Sequence, residues 1–198
     1  AARSVPGTEG ALMPFFSPDG EWIAFFGETS TLKKVPANGG PVVTVAEGNF
    51  RASRGTWTED GWILFTQPTA ELPGQILRVR ADGGVPEPLP ATDEGKRQLV
   101  GSVSTVPGSP FLLVTVAIST SAEGQAVAVQ SLETGERRVL APGGYLPQVL
   151  AGGHVVYLHS RRLMAGRLDT GAASRYQELR QGRQRGPILV VEHVEKLE

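Results

Sequence analysis

The sequence predicts an all-β chain built from about four copies of one four-stranded antiparallel unit. Three observations carry that prediction. Short apolar runs alternate with turn signals along the whole chain, glycine and proline are abundant but dispersed, and a turn-plus-strand pattern recurs at a regular period. The 198 residues include 25 glycines and 15 prolines, well above the roughly 12% that the pair averages in proteins. Scattered between apolar runs rather than gathered in one tract, they mark many turns joining many strands.

The repeat is read from four turn tetrads. Ser17-Pro18-Asp19-Gly20 runs into "EWIAFF", Thr58-Glu59-Asp60-Gly61 into "WILFT", Val106-Pro107-Gly108-Ser109 into "PFLLVTV", and Leu150-Ala151-Gly152-Gly153 into "HVVYLHS". Their starts lie 41, 48 and 44 residues apart, the period of four-stranded propeller blades. Behind each comes a strand that ends in a second turn: "TLKKVPANGG", "QILRVRADGG", "AVAVQSLETG" and "RLMAGRLDTG". A weaker strand follows: "PVVTVAEG", "VPEPLPAT", "ERRVLAPG" and "ASRYQELR". The unit is therefore strand a, turn, strand b, loop, strand c, turn, strand d. Repeats fall at about 11–48, 52–91, 99–142 and 145–181, within a repeat domain 1–186, and 187–198 is an extra C-terminal strand or tail.

Each element has a physical reason. Asn38-Gly39 and Asp82-Gly83 are tight-hairpin signals, because both central positions tolerate positive φ. The b strands are apolar at nearly every position, as expected of inner strands covered on both faces by neighbouring blades. The d strands carry proline and charge, which suits an outer edge where a missing N–H loses no ladder bond. Only 173–184 has any helical pattern, and "SRYQEL" within it reads as strand. The stretch "RSVP" at 3–6 is expected to pair with the last blade and close the ring. If four blades do not close, edge strands must pair elsewhere. "PILVVEHV" (187–194) is then the candidate for a homodimer through edge-strand pairing.

Composition narrows function. A formal charge of −1 gives no global field for nucleic acid or an anionic membrane, and no apolar run approaches the roughly 18 residues of a spanning helix. The absence of cysteine removes thiolate metal sites and cysteine nucleophiles. Beginning at Ala1, the chain is expected to be processed or cut from a longer one. Asp19 and Asp60 lack the spacing of a calcium loop and read as turn residues, with Pro18 presetting φ and Gly20 supplying positive φ. His154 and His159, five apart on one strand, face opposite sides, and His193 has no ligand-spaced partner. Ser109 is in a turn rather than a nucleophile elbow, and the Gly-Gly pairs are hairpin glycines. The arginine-rich 175–185 reads as a solvated edge, and Trp22, Trp57 and Trp62 as packing between blades. Neither a catalytic residue, a metal nor a cofactor is expected.

What remains is a set of longer loops, 48–54, 67–74, 92–98, 118–125 and 142–147, which emerge opposite the tight turns. Scaffolds place binding residues on such loops. The contact candidates are Arg51, Arg54, Lys96, Arg97 and Tyr145, with Phe50 as an apolar anchor.

The stretch "PFFSPDGEWIAFF…LKKVPANGGPVVTV" resembles the TolB-type β-propeller repeat, with its Ser-Pro-Asp-Gly turn and aromatic-aliphatic strand. "RSVPGTEGA", "SLETGERRVL" and "GGHVVYLHS" are similar to the propeller C-terminal to some bacterial serine/threonine kinases. The resemblance runs from about residue 3 to 171, close in the first two repeats and in outline in the others. Such propellers carry six or more blades and this chain about four, so the resemblance implies a partial or shortened propeller. It also implies a bacterial sensor or binding module without a kinase. The expected function is non-enzymatic recognition of a protein or peptide through the longer-loop face, without nucleic acid or membrane insertion. The rivals are a propeller hydrolase or lyase, the accessory propeller of a serine peptidase, and a scaffold with no partner of its own.

Overall fold

Four sheets of four antiparallel strands follow one another along the chain in a computed structural model. It describes residues 4–28, 31–48, 50, 54–67, 73–117, 124–150, 153–168 and the strand 191–196. Blade 1 is β1 (Leu12–Phe16), β2 (Trp22–Phe26), β3 (Thr31–Pro36) and β4 (Val43–Glu47), and blade 2 is β5 (Gly55–Trp57), β6 (Trp62–Thr66), β7 (Ile76–Arg80) and β8 (Glu87–Pro88). A single-turn helix, α1 (Asp93–Arg97), precedes blade 3, formed by β9 (Val100–Thr105), β10 (Phe111–Ala117), β11 (Gln125–Ser131) and β12 (Arg137–Pro142). Blade 4 is β13 (Gly144–Leu150), β14 (His154–His159), β15 (Arg162–Leu168) and β16 (Val191–Lys196). Within each sheet the strands lie in chain order, and the first strands meet in the sequence β1–β5, β5–β9 and β9–β13. This is a four-blade β-propeller arrangement with a–d running from the centre outward.

Three apolar seams join the blades. Phe26, Leu32 and Val45 of blade 1 meet Trp57, Ile63, Phe65 and Val79 of blade 2. Leu64, Ile76 and Leu89 of blade 2 meet Val103, Leu112 and Val114 of blade 3, while Val106, Phe111, Leu113 and Val129 meet Val155 and Leu168 of blade 4. Among the described residues no such cluster joins blade 4 to blade 1. The burial of the b strands follows from this. β6 and β10 are buried at almost every position, whereas β14 is buried only at Val155 and Tyr157, the alternation of a strand covered on one face.

Three local outcomes differ from the sequence expectations or extend them. Ser4, Val5 and Pro6, the described part of "RSVP", form no strand; Pro6 enters a turn in which the Thr8 hydroxyl donates to the Val5 carbonyl, 2.6 Å away. The strand Val191–Lys196 pairs with β15 and takes the outermost place in blade 4. "ASRYQELR", the expected d strand, and the arginine-rich 175–185 lie outside the described residues. Helix α1 was not expected.

Candidate functional site: a channel mouth on the turn side

The tight a–b turns build the rim. In the first, the Gly20 N–H donates to the Ser17 carbonyl (2.9 Å) and Gly20 takes φ +74. The Ser17 hydroxyl donates to the Asp19 carboxylate and accepts from the Trp22 N–H, and the Glu21 N–H donates to Asp19 Oδ1. The Ser17 hydroxyl first, and the Glu21 N–H second, hold the Asp19 carboxyl below its ordinary range. Asp19 is thus a structural turn residue. In the second turn Thr58 does the work of Ser17, accepting from the Trp62 N–H at 2.9 Å, while the Arg80 guanidinium reaches the Asp60 backbone carbonyl at 3.1 Å. The Glu59 and Asp60 carboxylates have no ion pair among the described residues.

Counting back five and four residues from the last residue of each tetrad gives Phe15 and Phe16, Thr56 and Trp57, Ser104 and Thr105, Gln148 and Val149. All eight line one cavity of about 930 Å³, together with rim residues of the first three turns. A period in the sequence has become a ring of matched positions around a central space. Phe16 stands at this wall with 62% of its surface exposed.

The wall is held rigid from behind. Thr56 and Thr105 hydroxyls lie 3.3 Å apart across the blade 2–blade 3 boundary, and the Val149 N–H donates to Ser104 Oγ across the next boundary at 3.3 Å. Deeper, the Leu146 N–H donates to Thr115 Oγ1 at 2.9 Å. On the blade 1 side, Phe15 begins a relay of rings. Phe15 to Phe26, Phe26 to Phe65 and Phe65 to Phe50 have centroid separations of 6.2, 5.9 and 4.8 Å, the last two edge-on. Two inner strands carry the same irregularity: Met13 before Pro14 and Leu146 before Pro147 take φ of 49 and 54, each at a break in register with the next strand.

A second cavity, about 340 Å³, lies between α1 and blade 3, with Thr92, Phe111, Val129 and Arg137 in its wall. Arg137 crosses the sheet rather than pointing outward. Its Nε donates to Gln130 Oε1 at 2.7 Å, and its two terminal nitrogens donate to the carbonyls of Gly95 (2.7 Å) and Gly74 (2.8 Å). Burial pushes its pKa down to about 10, so it is still cationic at neutral pH. This side chain pins the linker between blades 2 and 3.

The sequence candidates are dispersed. Phe50 is only 3% exposed at the end of the ring relay, so it packs in the core and is closed to use as an exposed anchor. Arg51 lies outside the described residues. Arg54 is half-buried just before β5, its N–H donating to Thr66 Oγ1 at 3.2 Å. Lys96 and Arg97 are on α1, where Lys96 reaches Asp93 at 3.4 Å, and Tyr145 pairs with Leu158 in blade 4. None of the described candidates lines the larger cavity. The wall positions of Phe16, Trp57 and Gln148 were missed as a group, although the count back from each tetrad identifies them, and Asp60, read as a turn residue, also lines the cavity.

No family model matches the chain, and no curated protein matches it in sequence. Solved structures do. TolB from Acinetobacter baumannii aligns with a TM-score of 0.60 at 21% identity, over 79% of this chain and 40% of that one. XC5397 from Xanthomonas campestris, described as a gluconolactonase, aligns at 0.57 and 14% over 79% and 58%. Oligogalacturonate lyase from Vibrio parahaemolyticus aligns at 0.51 and 17% over 73% and 44%. The chain spans between about two fifths and three fifths of these structures' lengths. Identities this low speak to fold, and in fold this chain is a TolB-like β-propeller of four blades.

Proposed function

We propose that this domain is a non-enzymatic binding module that seats a segment of a protein or peptide in the channel mouth on its turn side. The observation that carries the reading is the convergence of eight matched inner-strand positions on one cavity, with the exposed Phe16 ring at its wall. Electrostatics agrees with binding rather than proton transfer. Among the described residues the groups with displaced pKa values, Asp19, Arg137 and Tyr157, all lie outside that cavity's lining, and Glu59 and Asp60 are neighbours in one turn rather than facing partners. The longer-loop face is the alternative surface, with Lys96, Arg97 and Tyr145 as its contacts. The gluconolactonase and lyase likenesses keep a hydrolase or lyase as the rival class.

The test is selection of phage-displayed random peptides on the wild-type chain, followed by titration on two variants. Phe16→Asp is expected to weaken the selected peptides at least roughly tenfold, as for loss of an aromatic anchor, and Lys96→Glu with Arg97→Glu to leave them unchanged. The reverse pattern assigns recognition to the loop face. A selection that yields no binder retires both.

A further inference from the structure

The lining of the channel mouth has one sign of charge. Among its described residues the only ionisable side chains are Glu59 and Asp60, with no lysine, arginine or histidine. The chain as a whole is nearly neutral, at −1, so this is a local arrangement rather than a reflection of composition. Both residues are exposed. Their carboxylates make no ion pair and accept no hydrogen bond among the described residues, in contrast to Asp19, which is engaged by Ser17 and Glu21. The basic residues of blade 2 are held elsewhere: Arg78 and Arg80 lie over the Trp62 ring at 4.6 and 4.9 Å, and Arg78 also pairs with Glu87. Arg80 touches Asp60 only through the backbone carbonyl and does not enter the lining. Around the two free carboxylates the wall is apolar (Phe16, Pro18, Pro107, Pro110) with hydroxyls from Thr56 and Ser109.

Building on the binding reading above, we infer that the segment accepted by this mouth is cationic and apolar, with lysine or arginine flanking aliphatic or aromatic side chains. The apolar side chains seat against Phe16 and the rim prolines, where removal from water drives association. The cations meet Glu59 and Asp60, which supply selectivity and on-rate more than raw affinity.

The probes are three fluorescein-labelled octapeptides of alternating leucine with arginine, glutamine or glutamate, titrated by fluorescence anisotropy against the full chain. The arginine peptide is expected to bind roughly tenfold tighter than the glutamine peptide in low salt, as two partly exposed charge pairs would give. That margin collapses at about 0.5 M salt, where screening is short-ranged. Glu59→Gln with Asp60→Asn removes the margin, while Asp93→Asn with Glu94→Gln on α1 leaves it. Phe16→Ser weakens the arginine and glutamine peptides alike. Glu59→Lys with Asp60→Lys shifts preference to the glutamate peptide, a gain that loss of folding cannot imitate. Equal binding of all three peptides, weakened by Phe16→Ser, overturns the charge inference and leaves the channel-mouth reading standing. Absence of binding by any peptide, or binding indifferent to Phe16→Ser, overturns both.

Discussion

Asp19 and Asp60 hold the same place in successive repeats yet use their carboxylates differently, one inside its own turn and one facing the channel mouth. For Asp19 the sign of the pH effect follows. Its folded carboxyl is held below the ordinary value of 3.8, so the turn's contribution is complete above the ordinary range. That contribution is lost as pH falls through the lowered folded value. Asp19→Asn is therefore expected to flatten the acid limb of stability measured by urea unfolding between pH 6 and 3. Two glycines separate conformation from contact. Gly20 has φ +74 with open space around its Cβ position, so Gly20→Ala carries only the left-handed backbone penalty, about 1 kcal/mol. Gly135 has φ +70, and a Cβ there would lie 2.2 Å from the Pro90 carbonyl oxygen. Gly135→Ala is expected to cost more than about 3 kcal/mol in the same measurement, since backbone must shift. The left-handed turn glycine was legible in Ser-Pro-Asp-Gly because local chemistry dictates it. The close approach at Gly135 was not, because its neighbour is some forty-five residues away along the chain. Phe50 was misread for the same reason: what buries it, Phe65, comes from the next blade.

The strands were legible where burial on both faces forces every position to be apolar, as in β6 and β10. Helix α1 was hidden because one turn has no period to detect, and a glycine at its centre argues against a helix. Its signals are instead those of termini: Thr92 caps it by accepting from the Gly95 N–H at 3.0 Å, with Asp93 and Glu94 in the first turn and Lys96 and Arg97 in the last. Arg137 was read as an edge-strand charge, the ordinary fate of arginine on an outer strand. Its three acceptors come from β11, the β6–β7 connection and α1, which no local pattern reveals. Gln130 is 1% exposed, so removing the guanidinium strands a buried amide oxygen together with the Gly74 carbonyl, while the Gly95 carbonyl keeps the Gln98 N–H. Arg137→Met is expected to lower stability by about 2–4 kcal/mol by thermal or urea unfolding. Arg137→Lys recovers only part, because an ammonium on a flexible stem cannot match three acceptors set around a planar fork.

The number of blades was legible from the period, but their disposition about an axis was not. A period orders units along the chain and is silent on the space they enclose. With apolar seams between blades 1 and 2, 2 and 3, and 3 and 4, stability is shared by neighbours as in a short array. Blade 4 has one such neighbour among the described residues, and Leu163 on its β15 is 46% exposed. Hydrogen exchange followed by mass spectrometry is expected to show β14 amides exchanging well before those of β6 and β10, which lie between two seams. Uniform protection across the three strands would count against this order. The paired irregularities at Met13-Pro14 and Leu146-Pro147 bear on how anything enters the channel. An inner edge strand is ordinarily a row of free donors and acceptors on which a visiting chain can lie as an added strand. In blades 1 and 4 proline deletes a donor and the left-handed residue before it breaks the row, so neither edge offers a continuous template. Along these two edges a visiting chain cannot lie as an added strand, and the same two prolines keep either edge from being zipped to a stray strand.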